Sequence, residues 1–159
     1  MTPAIEPTPY LLALETSGDV CGIALLYGES VVVEHQFVHK MHLSERLMEI
    51  TDFVLQSAGI TLKEVSAYAV GMGPGSFTGT RMGVVTIKVW ADLFKKPLYG
   101  IDSLQALASE FCGLQNTLVL PVLPCRTDVV YTAPYPVDTL PPVPLSPIEA
   151  YSLDVVAGV

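Results

Sequence analysis

The chain has 159 residues, half of them hydrophobic, and a formal net charge of −8 at pH 7. This length and composition fit one domain of ordinary size with a sizeable core and exclude a wholly disordered chain. Only eight lysines and arginines are present, and they are scattered. Because phosphate contacts dominate affinity for nucleic acids, this argues against tight nucleic-acid binding by the chain alone. No apolar run reaches the roughly 18–20 residues that a membrane span requires.

Residues 1–9 contain three prolines and no basic region, so we expect a flexible leader and not a secretory signal. The three cysteines, Cys21, Cys112 and Cys125, are far apart and form no C-x-x-C pair. Buried free thiols in a reducing compartment are therefore expected, which indicates a cytoplasmic protein.

Three apolar strands are predicted first, at Tyr10 to Thr16, Val20 to Leu26 and Ser30 to Phe37. Short turns join them, which predicts an antiparallel meander. Helical spacing then runs from Leu43 to Ala58, and one face of this helix carries Leu43, Leu47, Ile50, Val54 and Ala58. The opposite side still carries Met48, Phe53 and Leu55. These additional apolar side chains fit either a second packing element within the domain or a surface for a partner protein.

An apolar strand from Val65 to Val70 precedes a glycine-rich run at residues 71–81, and a helix is predicted from Met82 to Phe94. Glycine is required where the backbone takes positive φ or approaches another group closely. A helix N-terminus after such a turn also suits an anion. Both an anion site and a tight connection without a ligand remain open. The positions that would contact an anion are Gly73, Gly75, Ser76, Thr78 and Gly79.

The common phosphate-binding motifs do not match this run. No Gly-Lys pair occurs in the chain, which excludes the mononucleotide loop. Gly73 and Gly75 begin the dinucleotide fingerprint, but its third glycine position is Thr78.

A short strand from Leu98 to Ile101 is followed by a helix that Asp102 or Ser103 can cap and that Gly113 ends. The order β-β-β-α-β-α-β-α predicts an α/β fold with a mixed sheet flanked by helices, the order of a ribonuclease-H-like lobe. We place this first lobe at residues 10–115. Residues 116–159 would begin a short or truncated second lobe. It opens with a predicted hairpin, Thr117 to Leu123 and Asp128 to Ala133 around Pro124-Cys125-Arg126-Thr127, and from residue 134 prolines predict an extended loop.

Glu15 ends the first strand, where a carboxylate orients a metal in two-lobed nucleotide-binding proteins; a simple polar strand end is the alternative. His35 and His39 have the spacing of paired metal ligands on a helix, but they fall in a predicted strand and loop. His42 does not complete a set of metal ligands with them, and the sequence predicts no metal site.

Several motifs together resemble the TsaB (YeaZ) family over roughly residues 10–135. They are Leu12-Ala13-Leu14-Glu15-Thr16-Ser17, His42-Leu43-Ser44-Glu45-Arg46-Leu47, Ala58-Gly59-Ile60, Gly73-Pro74-Gly75-Ser76-Phe77-Thr78-Gly79-Thr80-Arg81-Met82-Gly83 and Gly100-Ile101-Asp102-Ser103-Leu104-Gln105-Ala106-Leu107-Ala108. The resemblance implies the actin, sugar-kinase and Hsp70-like fold. It also implies a role in making threonylcarbamoyladenosine in tRNA.

The resemblance further implies a scaffold that pairs with the catalytic paralogue TsaD and with the small ATPase TsaE. In TsaD, two histidines after the matching strand bind the catalytic metal; here those positions are Ser103 and Leu107. We therefore expect no catalysis and no cofactor in this chain, with ATP and a metal ion in the partner subunits and tRNA bound only through the complex. A kinase or hydrolase using Glu15 and the glycine-rich run is the alternative.

The family pairs through helices of the first lobe, and without TsaD the same face can pair with itself. The resemblance and the apolar surplus of the two helices predict a partner interface and a homodimer of the isolated chain. The predicted interface residues are Leu43, Leu47, Met48, Ile50, Val54, Arg81, Met82, Val85 and Val89.

Overall fold

A five-stranded mixed sheet lies at the centre of the computed structural model, which describes residues 9–38 and 43–158. The strand order is β3-β2-β1-β4-β5. The first three strands pair antiparallel, whereas β4 pairs parallel with both β1 and β5. The strands are β1 Tyr10–Glu15, β2 Val20–Tyr27, β3 Ser30–Val38, β4 Val65–Gly71 and β5 Leu98–Ile101.

Two helices, α1 (Leu43–Ser57) and α2 (Phe77–Phe94), pack on one face of this sheet. Because side chains alternate along a strand, Leu12 and Leu14 of β1 point toward the helices, where both are buried. The main core joins these leucines to side chains from both helices, namely Leu47, Val54, Ile87 and Trp90. Most of the predicted leader lies outside the described residues.

The helix α2 begins at Phe77, five residues before the predicted Met82. Ser76 is its N-cap, and the Ser76 hydroxyl accepts a hydrogen bond from the Gly79 amide at 3.2 Å. Glycine is a poor helix former, so Gly79 and Gly83 obscure the helical pattern over the first turns. Part of the glycine-rich run is therefore helix and not loop.

The C-terminal part forms small sheets around the helix α3 (Ser103–Ser109). Its other elements are β6 Leu118–Val119, β7 Val122–Arg126, β8 Val129–Thr132, β9 Tyr135–Pro136, β10 Glu149–Ser152 and α4 Leu153–Ala157. The predicted hairpin is present as β7 and β8, but Pro124 and Cys125 lie in β7 and not in the turn. Most of the proline-rich stretch lies outside strands and helices, as predicted, with Pro136 in a two-residue strand.

A second, smaller core joins α3 to residues beyond 116. Leu104 and Ala108 of α3 are buried against Ala133, Tyr135 and Val137. By side-chain packing, α3 belongs with the C-terminal strands, so the predicted boundary at residue 115 falls inside a packed unit.

No helix among residues 9–38 and 43–158 is long and apolar enough to cross a membrane.

Candidate functional site

The carboxylate of Glu15 lies where the carboxyl ends of β1, β4 and β5 converge. One of its oxygens accepts a hydrogen bond from the Ser17 amide at 2.6 Å, and the other accepts from the Ser103 hydroxyl at 2.7 Å. The hydroxyls of Ser17 and Ser103 are themselves 3.4 Å apart. Both carboxylate oxygens of Glu15 therefore have partners within the chain.

Gly71, the last residue of β4, lies directly against the Glu15 carboxylate. A Cβ atom at residue 71 would overlap the carboxylate of Glu15. The close approach of β4 to that carboxylate is the physical reason for glycine at the end of the strand.

The glycine-rich run packs tightly against the turn that follows β1. The Ser76 amide donates to the Ser17 carbonyl at 2.7 Å, and the Thr16 hydroxyl donates to the Gly79 carbonyl at 2.8 Å. A Cβ atom at Gly75 would overlap Ser17, and one at Gly79 would overlap the Thr16 carbonyl. The run thus makes a tight connection between strand and helix.

An anion contact at the five predicted positions stays a prediction. Two of the amides there are already engaged within the chain, since the Ser76 amide bonds the Ser17 carbonyl and the Gly79 amide bonds the Ser76 hydroxyl. Gly73 has a φ of 82°, in the region that favours glycine, and the Gly73 carbonyl accepts a hydrogen bond from the Ser103 amide at 2.9 Å. The start of the run is thereby tied to α3.

Ser103 and Leu107 lie one turn apart on the same face of α3. Ser103 is buried against Glu15, and Leu107 is 38% exposed and lines the same cavity over the sheet as Glu15. Within the described part of the chain, no group of three or more histidine, cysteine, aspartate or glutamate side chains could hold a metal ion. His35 contacts aromatic rings, with the Phe53 ring centroid 5.7 Å away; His39 and His42 lie outside the described residues.

The predicted partner interface requires a correction. Leu43, Leu47, Ile50 and Val54 are buried in the chain's own core, so these four side chains face the sheet and do not form an external surface. The regular apolar spacing of α1 marks the face that packs on the sheet.

The other predicted interface residues remain on the outer side of the helices. Met48, Val85 and Val89 are 44%, 52% and 56% exposed, Arg81 is exposed and Met82 is partly buried. Phe77, which the predicted set does not include, lies in the glycine-rich run and is 79% exposed. We define the helix surface as the exposed side chains Met48, Phe53, Phe77, Arg81, Val85, Val89 and Leu93.

A shallow groove lies at the start of this helix surface. It has a volume of about 370 Å³ and is lined by Phe77, Thr78, Arg81, Met82 and Val85. An exposed aromatic side chain beside an apolar groove and an arginine is the composition that protein interfaces favour.

The sheet order and the flanking helices define the class of protein, a ribonuclease-H-like lobe of the actin, sugar-kinase and Hsp70-like fold, as predicted. A family model described as TsaD, tRNA N6-adenosine threonylcarbamoyltransferase, matches residues 36–138. The chain belongs to the TsaB (YeaZ) family.

Two relatives are named tRNA threonylcarbamoyladenosine biosynthesis protein TsaB. The protein of Bacillus subtilis (strain 168) is 34% identical over 125 residues, which cover 79% of this chain and 54% of the relative. That of Escherichia coli (strain K12) is 30% identical over 126 residues, with the same coverage of 79% and 54%. The chain spans about half the length of these relatives.

Solved structures from Pseudomonas aeruginosa are similar along most of the chain. One is described as an uncharacterized protein with similarity to peptidase YeaZ; it has a TM-score of 0.79 and 28% identity, covering 91% of this chain and 67% of that one. A second, described as YeaZ, has a TM-score of 0.78 and 28% identity, with coverage of 91% and 68%.

Proposed function

We propose that this chain is a non-catalytic scaffold subunit that binds and activates a TsaD-like partner. The partner transfers the threonylcarbamoyl group from its adenylate to N6 of adenosine 37 in tRNAs that read ANN codons. A TsaE-like ATPase completes the assembly. The names of the relatives support the pathway, and the family model supports a TsaD-type partner.

The engagement of the Glu15 carboxylate is the observation that carries the non-catalytic part of the proposal. Ser17 and Ser103 satisfy both of its oxygens with hydrogen bonds of 2.6 and 2.7 Å. A metal ion or substrate that recruited Glu15 would compete with these two bonds for the carboxylate lone pairs, and displacing either bond would leave a polar group unsatisfied in a partly buried site, which is costly. At Ser103, a position where TsaD carries a metal-binding histidine, the hydroxyl donates a hydrogen bond to the Glu15 carboxylate.

The helix surface supports the scaffold part of the proposal. It carries large apolar side chains on two adjacent helices, and Phe77 and Leu93 are 79% and 67% exposed. Exposed apolar patches of this kind mark interaction sites in soluble proteins. We assign the TsaD-like partner to this surface.

The net charge of −8 supports the assignment of tRNA binding to the complex and not to this chain. Affinity for nucleic acid depends on lysines and arginines that neutralise phosphates. ATP and the metal ion are likewise assigned to the partner subunits.

Reconstitution tests the proposal. The chain is combined with a TsaD-like protein, a TsaE-like protein, threonylcarbamoyl adenylate and unmodified tRNA, and each component is omitted in turn. Modified adenosine should form only when the TsaD-like protein is present, and this chain should increase its yield. Modified tRNA formed by this chain alone would refute the non-catalytic role.

Nucleotide binding distinguishes the alternative function, a kinase or hydrolase, from the proposed scaffold role. Calorimetry of the isolated chain with ATP and Mg²⁺ should show no tight binding if the chain is a scaffold. Tight binding together with hydrolysis would favour a kinase or hydrolase that uses Glu15 and the glycine-rich run.

A further inference from the structure

The outer sides of α1 and α2 carry opposite charges. On α1, Glu45, Glu49 and Asp52 are exposed, and on α2, Arg81 and Lys88 are exposed. The three acidic residues follow the spacing i, i+4 and i+7, and the two basic residues are separated by the same two turns. Residues at this spacing share one side of a helix. The outer side of α1 is therefore acidic, and that of α2 is basic.

Each helix also has one charged residue of the other sign, and neither alters this division. Arg46 is the basic residue of α1, and its guanidinium lies 5.7 Å from the centroid of the Phe37 ring. Phe37 belongs to β3, at the edge of the sheet farthest from β4 and β5, so Arg46 points away from α2. Asp92 is the acidic residue of α2 and lies in its last turn, beyond Lys88.

The charged side chains on these outer sides are available to a partner. Within the described part of the chain, the side chains of Glu49, Asp52, Arg81 and Lys88 make no ion pair or hydrogen bond. Arg81 also lines the groove of about 370 Å³ at the start of α2. Charges at such a position interact more strongly with opposing charges when a partner excludes water from the contact.

The opposite charges lie at matching heights on the two helices. Strands β3 and β4 run in the same direction, so α1 after β3 and α2 after β4 begin at the same edge of the sheet and run parallel. At a rise of 1.5 Å per residue, Arg81 lies about 6 Å along α2, and Glu45 and Glu49 lie about 3 and 9 Å along α1. By the same measure Lys88 lies about 16 Å along α2 and Asp52 about 14 Å along α1.

A two-fold axis can bring two copies of these helices face to face in two ways. With the axis along the helices, α1 of one copy lies over α2 of the other, and residues at equal heights meet. We call this the crossed order. With the axis across the helices, each helix lies antiparallel over its own counterpart, which we call the like order. The crossed order brings Arg81 to the height of Glu45 and Glu49, and Lys88 to that of Asp52, whereas the like order opposes acid to acid and base to base.

We propose that the helix surface binds a second copy of the chain in the crossed order. Burial of Met48, Val85 and Val89 supplies the favourable term, and the charges select the order, because like charges that face each other across a contact repel. Helix dipoles favour the antiparallel like order, but their effect is confined to the terminal turns. The repulsion between two chains of net charge −8 is screened beyond about 8 Å at physiological ionic strength. The proposal rests on the proposed function in one respect, the assignment of the helix surface as an interface.

The test uses a swap variant, Glu49→Lys, Asp52→Lys, Arg81→Glu and Lys88→Glu, which changes exposed positions only and keeps the net charge at −8. In the crossed order two swap chains match each other, but a swap chain and an unmodified chain oppose like charges on both helix pairs. Native mass spectrometry of an equilibrated mixture, with one chain isotope-labelled, should therefore show two homodimers and at least ~10-fold less hybrid than random exchange gives. The like order predicts the reverse, an excess of hybrid.

A second variant keeps the test valid if the swap variant fails to fold. The double variant Arg81→Glu, Lys88→Glu makes both helices acidic, so in the crossed order its homodimer should be at least ~10-fold weaker by light scattering. In the like order its dimer would be as strong as that of the unmodified chain, because α2 would oppose like charges in both. The matched control exchanges one charge of each sign outside both helices, Glu29→Lys with Lys63→Glu, and should mix with the unmodified chain at random.

Three results would overturn the proposal: an excess of hybrid with the swap variant, an unchanged dimer of the double variant, or a pure chain that stays monomeric. None of these touches the scaffold role, which the reconstitution with the TsaD-like protein tests with the unmodified chain. Conversely, a chain that does not increase the yield of modified tRNA would refute the scaffold role and leave the crossed order of the homodimer standing.

Discussion

The hydroxyl of Ser103 donates a 2.7 Å hydrogen bond to the carboxylate of Glu15, 88 positions away in the sequence. This bond joins the last residue of β1, in the central sheet, to the first residue of α3. Since Leu104 and Ala108 of α3 belong to the second core, the bond also links the two cores of the chain. Ser103, whose position the resemblance matches to a metal-binding histidine of TsaD, thus makes a structural contact.

Replacement of Ser103 by alanine should lower the free energy of unfolding by ~1–3 kcal/mol, because the partly buried Glu15 oxygen loses its donor. Urea denaturation followed by circular dichroism measures the change. The matched control is Ser57→Ala. In the unmodified chain the Ser57 hydroxyl donates to the Phe53 carbonyl at the exposed end of α1. Equal urea midpoints for the two variants would show that the Ser103–Glu15 bond contributes nothing to stability.

Replacement of Gly79 by alanine should destabilise the chain by ~1–3 kcal/mol, since the added methyl group would overlap the Thr16 carbonyl and force backbone movement. Gly79 is a helical residue, so close approach and not positive φ is the reason for glycine. Gly22→Ala is the control, because a Cβ atom there would meet nothing within 4 Å. The melting temperature should fall in the first variant and stay nearly constant in the second. Similar melting temperatures would contradict the packing argument.

The central sheet and α1 could be predicted from the sequence because their patterns are local. Alternation and helical spacing report which residues share a face, and turn residues mark where the elements end. The start of α2 could not be predicted, because Gly75 and Gly79 are required by close contact with the turn after β1 but in the local sequence resemble a loop.

Contacts between distant residues explain the other differences. Helical spacing on α1 shows an apolar face but not whether that face packs on the chain's own sheet or on a partner. The predicted interface therefore includes Leu47 and Val54, which are buried in the chain's own core. The hydrogen bond between Glu15 and Ser103 has no local signature at all. The side-by-side placement of Ala24, Ala13 and Ala69 across β2, β1 and β4 depends on the strand register, which the sequence alone does not supply.

Burial raises the pKa of the Cys21 thiol from 9.0 to about 11, and the neighbouring Glu15 carboxylate adds to the effect. In the native chain at pH 8, iodoacetamide should therefore modify Cys21 far more slowly than the half-buried Cys112 and Cys125, because the thiolate is the nucleophile. Mass spectrometry of peptides from a time course measures the three rates. Equal rates at all three cysteines would contradict the burial of Cys21.

The same shift makes stability fall at alkaline pH. Between pH 9 and about 11 the unfolded chain loses the Cys21 proton while the folded chain keeps it, so the free energy of unfolding decreases as pH rises. Burial also raises the pKa of Tyr68 and of Tyr135 from 10.0 to about 12, which extends the decrease to higher pH. Urea midpoints from pH 8 to 10 should fall less steeply in Cys21→Ala than in the unmodified chain. Parallel curves would exclude Cys21 as the cause.

The helix surface should also form a homodimer when the TsaD-like partner is absent. Phe77, Val85, Val89 and Leu93 are each more than half exposed along α2, and an apolar patch of this kind favours association. Two-fold self-association is the commonest symmetry of soluble oligomers. Because one surface cannot contact two partners at once, homodimer and heterodimer should compete. Light scattering of the pure chain should give the mass of a dimer, and an equimolar TsaD-like protein should convert it to a heterodimer.

A single charge should test whether both associations use this surface. Val85→Asp places a carboxylate at the centre of the α2 surface, so it should produce a monomer and weaken binding of the TsaD-like protein at least ~10-fold. Leu145→Asp is the matched control: Leu145 is 67% exposed in the proline-rich stretch, away from both helices, and the variant should keep both associations. Full affinity of Val85→Asp for the TsaD-like protein would place the interface elsewhere. Loss of only the homodimer in that variant would show that the two associations use different residues.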